Sequence, residues 1–121
     1  MPRLNVQADL RRRISTAIPG VEVRVSVPER RPTELIVVRR EGGRALNSTQ
    51  DAPGVGIDAW AATEGRACEL CELAGRVVRS LTFADGYERV TEEVMCTQYD
   101  TLAGSPHWYA SYSLITHKPT E

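Results

Sequence analysis

The chain has 121 residues, of which 41% are hydrophobic and 26% are charged, and this composition fits one globular domain with its own core. Its net charge of -1 excludes a protein that binds nucleic acid through overall positive charge. The three cysteines, an odd number, do not form a disulfide framework, and no apolar run approaches the roughly 20 residues of a membrane-spanning helix.

The first predicted element is an amphipathic helix from about Asn5 to Ile18. Its apolar residues recur at helical spacing, Asn5 can cap its start, and Pro19-Gly20 ends it. Charged residues, beginning with Asp9, interrupt any signal-peptide core in this segment. We therefore expect the protein to be made and assembled in the cytoplasm.

Two strands and a loop are predicted next. Alternating valines from Val21 to Val27 predict a half-buried strand, and a second, more apolar strand runs from Leu35 to Val38. Gly42-Gly43 then indicates a turn. The polar segment from Arg44 to Gly54 shows no apolar periodicity, so it predicts a long loop that is mobile in the free subunit.

A third strand and a second helix follow. The strand is predicted from Val55 to Ala61, and the helix from about Glu64 to Leu81 with Thr63 as its cap. The apolar stripe of this helix consists of Ala67, Leu70, Cys71, Ala74, Val77, Val78 and Leu81. We expect this stripe to pack against the sheet.

Two more strands complete the chain, one from Tyr87 to Gln98 and one from His107 to His117, joined by a loop from Asp100 to Pro106. The residues expected on the inner face of the fourth strand are Val90, Val94 and Cys96. The element order with short links predicts an α+β fold over residues 1–121, in the order α-β-β-β-α-β-β. In that fold, an antiparallel or mixed sheet of about five strands is flanked by two helices.

Cys68 and Cys71 form a CxxC pattern, which is found in zinc sites and redox centres. Both cysteines fall inside the second predicted helix, where Cys71 lies on the apolar stripe. A structural zinc ion needs four ligands, and besides these two the chain offers only Cys96, His107 and His117. We interpret Cys71 as a core residue and expect no metal or cofactor.

The histidines and carboxylates do not indicate a catalytic site. His107 and His117 stand at the two ends of one strand, ~30 Å apart by strand rise, and no carboxylate or nucleophile is specified beside either. Glu92 and Glu93 are adjacent in a strand, so they face opposite sides and cannot act as a pair. Neither GxGxxG nor a phosphate-binding loop occurs. We therefore expect a protein that is not an enzyme.

Arginines cluster around the second predicted strand and its loops, and they are the candidate assembly interface: Arg30, Arg31, Arg39, Arg40 and Arg44. One interpretation is a solvated cluster at the strand ends. The alternative is a patch that meets acidic groups of a neighbouring subunit or passing DNA, where cations neutralise phosphates without reading sequence. No aromatic residues interleave with them for base stacking, which argues against single-strand binding.

In this order and spacing, the segments resemble the tail terminator proteins of long-tailed, siphovirus-type bacteriophages. The resemblance lies in the opening helix and in VEVRVSVPERRPTELIVVRREGG from Val21 to Gly43. It continues in GIDAWAATEGRACELCELAGRVVRSL from Gly56 to Leu81 and in a closing strand pair that ends near His117. The CxxC cysteines and the HWYASYS segment have no place in the family pattern.

The resemblance implies a structural virion protein at the head–tail interface that forms a homo-oligomeric ring, sixfold in the family. The ring would cap the tail tube protein, stop its polymerisation and dock to the head-completion or connector protein, with DNA passing through and no membrane partner. Such a ring needs two different complementary surfaces on each subunit, and the arginine-rich second strand and the acidic fourth strand are candidates. The alternatives are another head–tail connector or head-closure subunit, a small metal-dependent enzyme, and a monomeric binding module.

Overall fold

A computed structural model of the protein describes residues 4–98 and 104–117. The helices are α1, Val6–Ala17, and α2, Glu64–Arg79, and a short 3-10 helix covers Phe83–Asp85. The strands are β1, Glu22–Arg24; β2, Leu35–Ala45; β3, Gln50–Trp60; β4, Tyr87–Gln98; and β5, His107–His117. The predicted α+β class and element order are confirmed. The predicted loop from Asp100 to Pro106 lies mostly outside the described residues.

The five strands form one mixed sheet in the spatial order β1-β2-β3-β5-β4. β1 pairs parallel with β2, and every other neighbouring pair is antiparallel. β2 and β3 are consecutive and form a hairpin. The chain then passes through α2 and forms β4, and β5 inserts between β3 and β4. The two edge strands are β1 and β4.

Both helices pack on one face of this sheet, and both begin at their predicted caps. The side chain of Asn5 accepts a hydrogen bond from the N–H of Ala8 at 3.1 Å, and that of Thr63 accepts one from Arg66 at 3.2 Å. The buried apolar residues of the helices include Val6, Leu10, Ile14, Ala67, Leu70, Cys71, Ala74 and Val78. They share one core with alternate strand residues, namely Ile36, Val38, Val55, Ile57, Ala59, Ala110, Tyr112 and Leu114. We call this side of the sheet the helix-bearing face.

The opposite side, which we call the open face, presents the intervening residues of the same strands. On the central strands these include Leu35, Val37, Arg39, Gly56, Asp58, Trp60, His107, Tyr109 and Ser111. Leu35, Val37 and Trp60 form a second, smaller buried cluster there. The open face therefore has a small buried apolar cluster at one end of the sheet.

The first predicted strand, from Val21 to Val27, is too long, because β1 has only three residues. Its last two valines are exposed, Val25 by 37% and Val27 by 47%. If the parallel register continued, Val27 would lie opposite Arg40. The side chain of Gln7 in α1 instead accepts the backbone N–H of Arg40 at 2.9 Å, so the helix occupies that position along β2.

The interpretation of residues 44–54 as a loop is wrong, since the segment belongs to the β2–β3 hairpin. The strands remain paired as far as Ala45 and Asp51, which leaves only residues 46–49 as the turn. The register shifts between Arg40 and Gly43, where Gly42 and Gly43 have φ values of 119° and 86°. Residues 41–49 are all exposed, which accounts for the polar sequence on the β2 side, whereas Asp51 and Pro53 on β3 are buried.

The inner face of β4 also differs from its prediction. Val90 packs against the core as expected, but Val94 is 45% exposed. A register shift between Glu92 and Val94 reverses the alternation, so Met95 pairs with the buried Ala110 and takes the inward position. Val94 and Cys96 consequently lie on the open face.

Leu70 tests the packing of α2, because its side chain is fully buried against the sheet. Leu70→Ala should lower the free energy of unfolding by about 2–5 kcal/mol through lost burial and a residual cavity. Urea denaturation measures this loss. Glu72→Ala, at an exposed position of the same helix, is the control and should change stability by less than about 0.5 kcal/mol. Equal effects of the two substitutions would remove α2 from the core.

Gly43 tests the hairpin. A Cβ at this position would overlap the carbonyl oxygen of Ala52, and the positive φ is itself unfavourable for other residues by roughly 1–2 kcal/mol. We expect Gly43→Ala to destabilise the hairpin and to speed hydrogen exchange of the backbone amides in residues 44–52. Gly54→Ala is the matched control, since a Cβ there meets no atom within 4 Å. Unchanged exchange in the Gly43 variant would show that the bulge tolerates a side chain.

Candidate assembly surfaces

The structure separates the five arginines of the candidate assembly interface. Arg39 and Arg40 are consecutive in β2, so their side chains leave opposite faces of the sheet. Arg30 precedes β2 and Arg44 lies near its far end, with roughly 30 Å of strand between these ends. Arg30 and Arg44 are both exposed. The arginines therefore do not lie together as one patch.

Arg40 stabilises the base of the hairpin. Its guanidinium donates two hydrogen bonds to the carboxylate of Asp51, at 2.6 and 3.2 Å, and a third to the carbonyl oxygen of Gly42 at 2.9 Å. The Asp51 side chain is only 3% exposed, so its charge depends on this bidentate partner. Arg40 consequently has a structural role within the subunit.

Arg39 reaches a buried acid on the open face. It donates to one carboxylate oxygen of Asp58 at 3.3 Å, while the Nε2 atom of His107 lies 2.7 Å from the other oxygen. The Asp58 side chain is 7% exposed and that of His107 is 13% exposed. The sequence specified no carboxylate beside His107, but the pairing of β3 with β5 places it beside Asp58.

Trp60 joins this cluster to the segment that precedes β2. Its ring stacks on His107 with centroids 4.2 Å apart, and the guanidinium of Arg31 lies 5.1 Å from its centroid. Arg31 also donates to the hydroxyl of Ser105 at 3.1 Å. These contacts attach the segment before β2 and the start of β5 to one end of the open face.

The carboxylate of Asp58 is satisfied within the subunit. Both of its carboxylate oxygens already have partners in Arg39 and His107. Within residues 4–98 and 104–117, no serine or cysteine forms a hydrogen bond with His107. A histidine that activates a nucleophile needs that nucleophile within hydrogen-bond reach. The cluster instead satisfies a buried charge.

Tyr109 and Glu41 form a second polar contact on the open face. The Tyr109 hydroxyl donates to the Glu41 carboxylate, which lies across Gly56 in space that a Cβ would fill. Burial and this hydrogen bond raise the pKa of Tyr109 to about 12, so it remains a protonated donor at neutral pH. The contact connects β2 to β5 over the intervening β3.

The cysteines of the CxxC belong to the packing of α2. Cys71 is fully buried, as predicted, and burial raises the pKa of its thiol to about 12. Burial also raises the pKa of the partly exposed Cys68. Reactive cysteines have lowered pKa values, and both of these are shifted the other way. No cluster of three metal-ligating side chains occurs in the described part of the chain.

The acidic residues of β4 have different surroundings. Glu92 lies on the helix-bearing face, where it accepts hydrogen bonds from Arg79 at 2.9 Å and from the hydroxyl of Tyr112 at 3.1 Å. Glu88 accepts a hydrogen bond from Gln50 at 2.8 Å. Glu93 is exposed beside the register shift of the edge strand. Glu88 and Glu92 therefore bind partners within the subunit, and Glu93 is exposed at the edge.

No protein-family model matches this chain, and no curated protein sequence matches it. The described helices include none that is both long enough and apolar enough to cross a membrane.

Arg40 and Arg44 provide a matched test of the two kinds of arginine. Arg40→Ala leaves the buried carboxylate of Asp51 without its bidentate partner, so the free energy of unfolding should fall by about 3 kcal/mol. Arg44→Ala changes an exposed residue and should cost less than about 0.5 kcal/mol. Thermal and urea unfolding measure both. Equal stability of the two variants would show that the Arg40 ion pair adds nothing to the fold.

Proposed function

We propose that this chain is a structural virion protein, a ring-forming tail terminator. In this role it caps the tail tube, stops its polymerisation and provides the docking surface for the head-completion complex. The proposal is supported by the segments that resemble tail terminators and by the α+β fold in which they lie. The observation that supports it most directly is the exposed end of the β2–β3 hairpin.

The end of this hairpin is preformed. β3 pairs with β2 on one side and with β5 on the other as far as Gln50, so the turn of residues 46–49 lies beyond the paired strands, and residues 41–49 are all exposed. At the turn, the side-chain oxygen of Asn47 accepts the backbone N–H groups of Thr49 and Gln50 at 2.9 and 2.8 Å. At the base, the Arg40–Asp51 ion pair connects the two strands.

A preformed hairpin suits a protein partner, because little conformational entropy is lost when it docks. Leu46 is exposed next to the turn and Arg44 is exposed on the adjoining strand, so the hairpin offers an apolar and a basic contact. In the proposed role, these contacts meet the tail tube or a neighbouring subunit. The buried polar cluster around Asp58 supports the shape of the subunit and has no part in docking.

A head-closure or other connector subunit is the nearest alternative, since it would need the same kind of surfaces. Electron microscopy of phage particles labelled on this protein separates the two roles. A tail terminator labels the upper end of isolated tails, including tails without heads. A head-closure subunit labels the portal side of filled heads and is missing from isolated tails.

Arg30 and Arg44 are the arginines of the candidate interface whose reversal should spare the fold. Exposed charges contribute roughly 0–1 kcal/mol to stability, so the double change R30E and R44E should leave thermal unfolding nearly unchanged. In the phage that encodes the chain, we expect overlong or headless tails. The control is R12E with R76E, which makes the same change in net charge on the exposed surfaces of the helices. Normal tails and full infectivity from R30E with R44E would show that these arginines are only solvated.

A further inference from the structure

The two edges of the sheet leave backbone groups without a partner strand. Among the described strands, none pairs with the outer side of β1 or of β4. Unpaired edges are templates for strands of other chains. β4 offers 12 residues for such pairing, whereas β1 is only three residues long.

The directions of these edges are opposite. β1 runs parallel to β2, and three antiparallel pairings then lead across the sheet to β4, which therefore runs against β1. When copies repeat around an axis in the same orientation, β1 of one copy meets β4 of the next as an antiparallel pair. This is the geometry with the better hydrogen bonds.

The segment at the β1 edge has more strand-forming sequence than the subunit uses. A groove of about 410 Å³ beside β1 is lined by Arg11, Glu22, Val23, Arg24, Val25 and Ser26. Beyond Arg24 the alternating valines continue, but Val25 and Val27 are exposed there. If a strand of another copy paired along this edge, these two valines could be buried against its side chains.

We propose that residues 21–27 of one copy add as an antiparallel strand to the β4 edge of a second copy. This pairing would be the repeating contact of the ring, so it rests on the proposed function. In an extended chain, Val25 and Val27 follow Val23 onto the helix-bearing face, where β4 presents the half-buried Val90 and Met95. Arg24 falls on the open face, on the side where β4 presents Glu93.

The charges of the two edges disfavour the pairing of like with like. β4 contains three glutamates and one arginine, a net charge of -2. Residues 21–27 contain one arginine and one glutamate, Arg24 and Glu22, which form an ion pair at 2.5 Å, so this segment has no net charge. Pairing β4 with a second β4 would bring glutamates together, which is unfavourable. The partner of β4 is therefore the β1 edge, as a head-to-tail ring requires.

The test is a charge swap between the edges. R24E and E93R each change an exposed residue, and each should raise the dissociation constant between copies about tenfold or more, measured by sedimentation over a concentration series. A 1:1 mixture of the two variants should assemble again, because every junction of an alternating ring then pairs opposite charges. R76E and E72R make the same charge changes on exposed helix positions and should assemble normally.

Hydrogen exchange tests the strand itself. In the assembled wild-type protein, the amides of residues 25–27 and of β4 should exchange more slowly than in the diluted subunit. If rings persist in both single variants, or if the protein assembles without this protection, the proposed edge pairing is wrong. The proposal that the protein forms a ring would still stand. A wild-type chain that forms no ring, either alone or on tail tubes, would overturn the proposed function itself.

Discussion

The burial of α2 against the middle of the sheet is the constraint on which the other features depend. Leu70, Ala74 and Val78 lie in one core with Ile57 and Ala110 of the two central strands. Apolar burial on this scale is the largest favourable contribution to folding. Because α1 packs on the same side, one face of the sheet is closed, and the opposite face and both edges remain for other contacts.

Polar contacts hold the hairpin and the segment before β2, which lie outside this core, in place. The Arg40–Asp51 ion pair holds the strands of the hairpin together where the helices end. On the open face, the charge of Asp58 is satisfied by Arg39 and His107, and the stack on Trp60 attaches the segment before β2. Removing one partner of such a buried pair costs far more than changing an exposed charge. Hence, arginines that look alike in the sequence differ in what they do.

The proposed ring is consistent with this division of the surface. An unguarded sheet edge invites unspecific association, and β4 has the features that prevent it, namely two register shifts and several charged residues. At the other edge, β1 is only three residues long, which also limits unspecific association. In the proposed ring, the apolar residues of the two edges would lie on matching faces, and the exposed turn of the hairpin would be available for a different partner.

The sequence by itself determined the element order, the α+β class, both helix caps and the buried stripe of α2, because these follow from local periodicity and from side chains that bond to nearby backbone. Only the tertiary structure decided the extents of β1 and of the hairpin, and the outward turn of Val94. These depend on a contact between Gln7 and β2, on the pairing of strands with a polar sequence, and on a register shift. The polar cluster was also decided there, since Asp58 and His107 are 49 residues apart and meet only when β5 inserts beside β3. No local pattern specifies such a contact, because it depends on which strands become neighbours.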